Sequence, residues 1–135
     1  RQVSREDAIK SVFGYTCAND VTARDQQRSD VQFTRAKGFD SFCPLGPWIE
    51  TDLKWPDVGV QALVNGTVKQ DGRTKDMIFD IPTLVSYVSH VMTLLPGDVI
   101  LTGTPAGVGP IVAGDSVSVR IEGLGTLTNP VANRA

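Results

Sequence analysis

The stretch "VQALVNGTVKQ", residues 60–70, decides the class of fold. Val60 to Val64 and Thr67 to Gln70 are short β-prone runs. The two residues between them, Asn65-Gly66, accept positive φ at both central positions of a two-residue turn, so the stretch reads as an antiparallel hairpin. Whatever surrounds it must extend or cover a sheet.

Towards the C-terminus, Asp80 is placed to cap a helix running through Leu95, with Leu84, Val85, Val88, Val91, Met92 and Leu95 as its buried stripe and Pro96-Gly97 ending it. Asp98 to Thr102 then reads as a strand feeding a glycine-rich loop, and Ser116 to Glu122 and Thr126 to Val131 read as two more strands. Towards the N-terminus, Pro47 to Thr51 suggests a strand. Residues 28–44 lack clean periodicity and contain Gly38 and Pro44, which predicts an ordered loop of the kind that carries function.

Tyr15 to Ala18 reads as a strand. It leads into Thr22-Ala23-Arg24-Asp25, a capping-box pattern that predicts a helical turn through Gln27. Ser4 with Asp7 repeats that pattern, and Ala8, Ile9, Val12 and Phe13 share a helical face, which predicts a helix over 5–13 stopped by Gly14. The expected class is α+β and β-rich, with two or three short helices.

No repeat, low-complexity tract or linker divides residues 1–135, so they read as a single domain. Arg1 in place of Met, with a helix-like pattern starting almost at once, suggests that the domain is N-terminally truncated. A chain of 135 residues with 41% hydrophobic content is long enough for one real core. Thirteen basic against fifteen acidic residues give a net charge of −2. With no Lys/Arg run, nucleic acid and anionic lipid are not expected partners.

No apolar run approaches the ~20 residues that cross a bilayer, and no charged-then-apolar leader opens the chain, so the expectation is a cytoplasmic protein without membrane contact. Cys17 and Cys43 have neither metal-site spacing nor the density of a disulfide scaffold. Their apolar neighbours suggest buried thiols in a reducing compartment.

Asp20, at the close of the first strand, is the first candidate for chemistry. One reading makes it the cap of the following turn. The other notes that Thr22 already supplies the cap oxygen and that no ion-pair partner is evident in the sequence, which leaves Asp20 free as a hard oxygen ligand for Mg²⁺. One carboxylate is a poor cage, so further ligands must come from elsewhere. Lys37 in "RAKGF" is either solvated or placed to meet a substrate carbonyl or carboxylate, with Gly38 permitting close backbone approach. Gln27 is a surface amide or a donor to a bound acid.

"LTGTPAGVG", residues 101–109, lacks the Gly-Lys-Ser/Thr ending of a phosphate loop. Within it, Thr104 either satisfies its own turn or presents its hydroxyl and amide to an anion. His90 is the only histidine; it reads as a partly exposed structural residue and cannot build a multi-imidazole zinc site. Neither cysteine has an evident base that would make it a nucleophile.

Taken in order, "GYTCANDVTARDQQ", "RAKGFDSFCPLGPWI", "VNGTVKQ", "LLPGDVILTGTPAGVGP" and "AGDSVSVRIEGLGTLTNPV" resemble the C-terminal catalytic domain of the fumarylacetoacetate hydrolase family over nearly the whole chain. The resemblance implies a mixed β-sandwich roll closing over Mg²⁺ or Mn²⁺. It also implies action on small 2-oxo and 1,3-dioxo acids, by hydrolysis or decarboxylation at a carbon-carbon bond. Isomerisation or hydration of an unsaturated dioxo acid in aromatic catabolism is the alternative within the family. A non-catalytic binding or assembly domain is the alternative outside enzyme chemistry.

By motif, Asp20 matches the family's metal-binding aspartate and Lys37 the lysine beside the metal-bound substrate. Gln27 and Thr104 match the amide and the threonine that hold the substrate's carboxylate. The family's Glu-x-Glu ligand pair and general-base elements precede the matched region, so the expected site is half a site and this piece alone is expected to be inactive. The resemblance also implies a homodimer.

Overall fold

A computed structural model of the chain describes residues 1–133. Two antiparallel sheets carry the fold: β1 (Tyr15–Ala18) paired with β2 (Leu45–Glu50), and a four-stranded sheet in the order β4-β3-β5-β6. The latter is built from β3 (Gly59–Val64), β4 (Thr67–Arg73), β5 (Ser116–Ile121) and β6 (Gly125–Pro130). Three helices accompany them, α1 (Arg24–Ser29), α2 (Thr34–Lys37) and α3 (Ile81–Val91). This is the α+β, β-rich architecture with short helices that the sequence predicts.

The hairpin forms where expected, with φ of 50° at Asn65 and 78° at Gly66. Asn65 also ties the turn to β5: its carbonyl accepts from Ser116 N–H at 2.9 Å and its amide donates to Asp115 at 2.8 Å. Antiparallel register then runs one row across the whole sheet, Gln70 opposite Ala62, Ala62 opposite Val119, Val119 opposite Leu127. Directly opposed residues share a face. On that face, Val119 and Leu124 pack with Cys17 of β1, and Ile121, Leu127, Leu53 and Tyr15 close around them. A second apolar cluster, Ala8 with Ile81 and Val85, sits under α3, and Tyr15 touches both.

Several local expectations are corrected. The helix over 5–13 is a single tight turn, Ala8–Ser11, with only Ala8 buried and Phe13 78% exposed. The segment before it instead hydrogen-bonds to α3, Gln2 N–H to Ser89 O at 2.8 Å and Val3 N–H to Ser89 Oγ at 2.9 Å. α1 runs on to Ser29 without the predicted cap, because the Thr22 hydroxyl donates to the Asp20 carbonyl at 3.0 Å. The expected loop 28–44 contains α2, and β2 begins at Leu45 rather than Pro47.

Asp80 does cap α3, accepting from Thr83 N–H at 2.9 Å, but the helix ends at Val91. The chain leaves the helix at Met92, which is extended at φ −142° and ψ 159°, before Pro96 could end it. The buried residues of α3 are Ile81, Val85 and Ser89, while Val91, Met92 and Leu95 are exposed. Residues 98–102 form no strand, since no partner among the described residues pairs with them. Among the described residues no helix is long and apolar enough to cross a membrane.

Candidate active site

After Ala18 the backbone turns tightly, with Asn19 N–H donating to Pro44 O at 3.2 Å and Val21 N–H to Asn19 O at 3.0 Å. The turn directs the Asp20 carboxylate outward. α1 and α2 fold back on each other, joined by Ala23 N–H to Ala36 O at 2.9 Å, with Ala36 fully buried beneath them. This brings Lys37, 17 residues away in sequence, into direct ion pairing with Asp20. The expectation of a carboxylate without a charge partner is therefore corrected.

Both side chains remain open to solvent, Lys37 at 34% and Asp20 at 42% exposure. So exposed a pair adds little to folding stability. Gly38 serves the helix rather than a ligand: a Cβ there would stand 2.8 Å from the Thr34 carbonyl oxygen, so only glycine closes α2 without a shift.

Gln27 is half-buried on α1, and its side-chain carbonyl accepts from the Arg24 guanidinium. That contact leaves the NH₂ end to donate. Thr104 stands on a different segment. Its segment lies across β4, where the Gln70 amide donates to Thr104 Oγ1 at 2.8 Å and to the Pro105 carbonyl at 2.6 Å.

Pro105 packs against Gly72, where a Cβ would meet the proline ring at 2.9 Å, and Gly107 comes so close to β4 that a Cβ would lie 2.0 Å from Lys69 O. Gln70 shares the row of Ala62, Val119 and Leu127, ~10 Å, or two strand spacings, from Val119, so the Thr104 that it holds lies on the sheet face that β1 covers. The half-buried Val60, Ala62 and Val64 form the floor between.

Asp20 and Lys37 are thus brought together. Among the described residues no hydrogen bond joins either of them to Gln27 or Thr104. Gln70, which holds Thr104, was given no role from sequence. The available signal was strand alternation, which puts a polar side chain at an inward position opposite Ala62.

A depression of about 470 Å³ between Gln61, Asp71, Arg73, Arg120 and Glu122 belongs to the other face of the sheet. Cys17 is fully buried and burial pushes its thiol pKa up, which keeps it protonated and unreactive. Cys43 is half-buried and, like Cys17, free. His90 is exposed, with Nδ1 donating to the Ser86 carbonyl at 2.8 Å.

As a metal site, Asp20 offers one outward hard-oxygen ligand of the kind Mg²⁺ and Mn²⁺ prefer. Among the described residues no group of three His, Cys, Asp or Glu side chains converges to hold an ion. These residues do not make a cage by themselves.

The chain belongs to the fumarylacetoacetate hydrolase family, matching its C-terminal domain over residues 1–132. It is 58% identical to the Mycobacterium tuberculosis protein Rv2993c, over 99% of this chain and 52% of that one. It superposes with a TM-score of 0.98, at 58% identity, on the crystal structure of a 5-carboxymethyl-2-hydroxymuconate delta-isomerase from Mycobacterium smegmatis, covering 100% of this chain and 54% of that one.

At 39% identity and a TM-score of 0.89 it also matches maleylpyruvate hydrolase from Sphingobium sp. SYK-6 in complex with manganese(II) and pyruvate, over 98% of this chain and 48% of that one. Other relatives bear the names oxaloacetate tautomerase, from Bacillus subtilis, and oxaloacetate decarboxylase, from Dictyostelium discoideum, at 42% and 44% identity. The chain spans about half the length of the curated relatives it matches.

Proposed function

We propose that the protein cleaves a carbon-carbon bond in small 2-oxo or 1,3-dioxo acids with the help of Mg²⁺ or Mn²⁺, by hydrolysis or by decarboxylation. The observation that carries this reading is the meeting of Asp20 and Lys37 at the solvent-open end of β1, in a chain of this family. Stability does not explain an ion pair that open to water, whereas recognition of an anionic oxo acid does.

Asp20 is one ligand of the ion, and we take the others to come from polypeptide outside these residues, since relatives of the domain are about twice as long. The ion supplies positive charge to the substrate's oxygens when bound. Lys37 then adds its ammonium beside the oxygen that gains negative charge as the bond breaks, which lowers the barrier electrostatically. Gln27, its carbonyl held by Arg24, donates its NH₂ to the substrate's carboxylate, and the Thr104 hydroxyl donates from the far wall.

The test is pyruvate release from oxaloacetate and from acylpyruvates by the full-length protein, with Mn²⁺ and after chelation. Release that is metal-dependent and lost in Asp20→Ala supports the proposal; release untouched by either change refutes it. A second reading, isomerisation of an unsaturated dioxo acid, is favoured by the TM-score of 0.98 to the delta-isomerase. The same assay separates the two, because isomerisation shifts the substrate's ultraviolet absorbance without releasing pyruvate. Calorimetry with Mg²⁺ and Mn²⁺ should find weak or absent binding to the 135-residue chain and clear binding to the full-length protein.

We also infer a homodimer. The chain exposes 9185 Å², about a third more than the ~6,900 Å² usual for a compact 14.5 kDa monomer. Exposed Trp48, Ile49, Val91, Met92 and Leu95 contribute to the excess, which the rest of a full-length chain and a second copy would share in covering. Sedimentation equilibrium of the full-length protein tests it, and a monomer at micromolar concentration excludes it.

A further inference from the structure

We propose that Gln70 is a positioning residue that turns the Thr104 hydroxyl into a dedicated hydrogen-bond donor for the substrate's carboxylate; this rests on the reading of Thr104 given above. The geometry carries the step. A primary amide has an accepting and a donating end, and the Pro105 carbonyl, 2.6 Å from Gln70 Nε2, can only accept. That contact fixes which end faces the turn. The second Nε2 hydrogen then points to Thr104 Oγ1 at 2.8 Å, so the hydroxyl oxygen accepts there and its own proton is directed away from the amide.

No other hydrogen bond from Oγ1 is formed among the described residues. The proton is therefore available to an anion, and its direction is set before any anion arrives. Gln70 can play this part because it is an inward-facing polar residue in a row otherwise occupied by Ala62, Val119 and Leu127. The turn is registered on it at two further points, Gly72 under Pro105 and Gly107 against Lys69 O. An apolar residue at 70 would fill the row but leave Thr104 Oγ1 and the Pro105 carbonyl without their donor, so filling space does not account for the amide.

The experiment is a pyruvate titration of the full-length protein with Mg²⁺ present, followed through the Gly103 and Thr104 amide resonances, with thermal melts recorded on the same samples. Gln70→Glu replaces the donor by an acceptor that captures the Thr104 proton and adds negative charge, whereas Gln70→Leu releases the hydroxyl and the Pro105 carbonyl without adding charge. The expected order of Kd is wild type, then Gln70→Leu, then Gln70→Glu, the last weaker by about tenfold or more, as for loss of a hydrogen bond to a charged group. In a Thr104→Val background, Gln70→Leu should add no further loss, because its effect passes through that hydroxyl.

A merely structural role would leave the losses of Gln70→Leu and Thr104→Val additive, and that result overturns the proposal. Should Gln70→Glu not fold, the Gln70→Leu and Thr104→Val cycle decides alone. Wild-type affinity in Gln70→Leu, with Thr104→Val weakened, removes Gln70 and keeps the reading of Thr104. Wild-type affinity in Thr104→Val, or no saturation by pyruvate in the wild type, removes that reading.

Discussion

The two parts of the proposed site, a wall around Asp20 and Lys37 and a wall around Thr104, hold their functional groups in different ways. On one, Asp20 and Lys37 are exposed ends of side chains that meet above a tight turn and a four-residue helix. On the other, Thr104 is held by backbone laid against backbone, with an amide and two glycines setting the distance. A charge that must meet a charged ligand works best at the end of a solvated side chain, where the partner can be exchanged. A neutral donor has only its direction to offer, so the chain fixes that direction through the main chain. Substitutions should therefore separate function from stability on the first wall and join them on the second.

The largest effect expected from this contrast is that of Gly107→Ala. Its φ is +107° and its Cβ would stand 2.0 Å from Lys69 O, so the turn must leave β4. A loss of about 3 kcal/mol or more is expected in urea unfolding, with Thr104 displaced as a consequence. A near-normal midpoint would show that the turn is not registered on the strand.

Next comes Lys37→Ala, expected to lower kcat of the full-length protein by at least ~10²-fold. Its stability should stay within ~0.5 kcal/mol, because the pair it leaves is exposed. An unchanged kcat would end its catalytic role, and a large loss of stability would end the distinction between the walls. Gly103→Ala is the smaller control on the second wall. Its φ is +105° but nothing lies within 4 Å of the added carbon, so only the backbone penalty of about 1 kcal/mol is expected.

The first wall was the more legible in sequence. β1, the turn and the motif around Asp20 are local, and local patterns are what a sequence displays. The Asp20–Lys37 pair was not visible, because it depends on α1 folding back onto α2 through one backbone hydrogen bond between Ala23 and Ala36. On the second wall the "TGTP" turn was legible as a turn, but its support was not. Gln70 acquires meaning only through the register that sets it opposite Ala62 and beneath Thr104.

The same limit explains the missing strand at 98–102. Val99 and Leu101 have the composition of a strand, yet pattern states a preference for pairing and does not supply the partner; here both are exposed. The C-terminal part of α3 failed for a related reason. Val91, Met92 and Leu95 continue the apolar stripe in sequence, but Val91 faces outward on the last turn and the backbone leaves the helix, extended, at Met92.

The smallest effect is on pH dependence, and it sharpens the contrast because the carboxylates with lowered pKa include those that support the second wall. Arg73, at the end of β4, donates to Asp57 and holds its pKa below the ordinary carboxylate value. Asp115 is lowered by the Val112 N–H and the Asn65 amide, and Asp80 by the hydroxyl and N–H of Thr83 and then by Arg5. Each group favours folding in its ionised form, so its contribution is complete above the ordinary carboxylate range of about pH 4 and fades as pH falls through the lowered folded values.

Urea midpoints measured from pH 6 down to pH 2.5 should hold steady and then decline below about pH 4. Asp115→Asn keeps an acceptor oxygen for Val112 N–H but no titrating proton, and its decline should be shallower. Amide protection factors recorded along the same series should fall in β4 before they fall in β1, because acid releases Arg73 of β4 from Asp57 while the Cys17, Val119 and Leu124 cluster contains no titrating carboxylate. Simultaneous loss of protection at both places would mean that the two walls stand or fall as one unit.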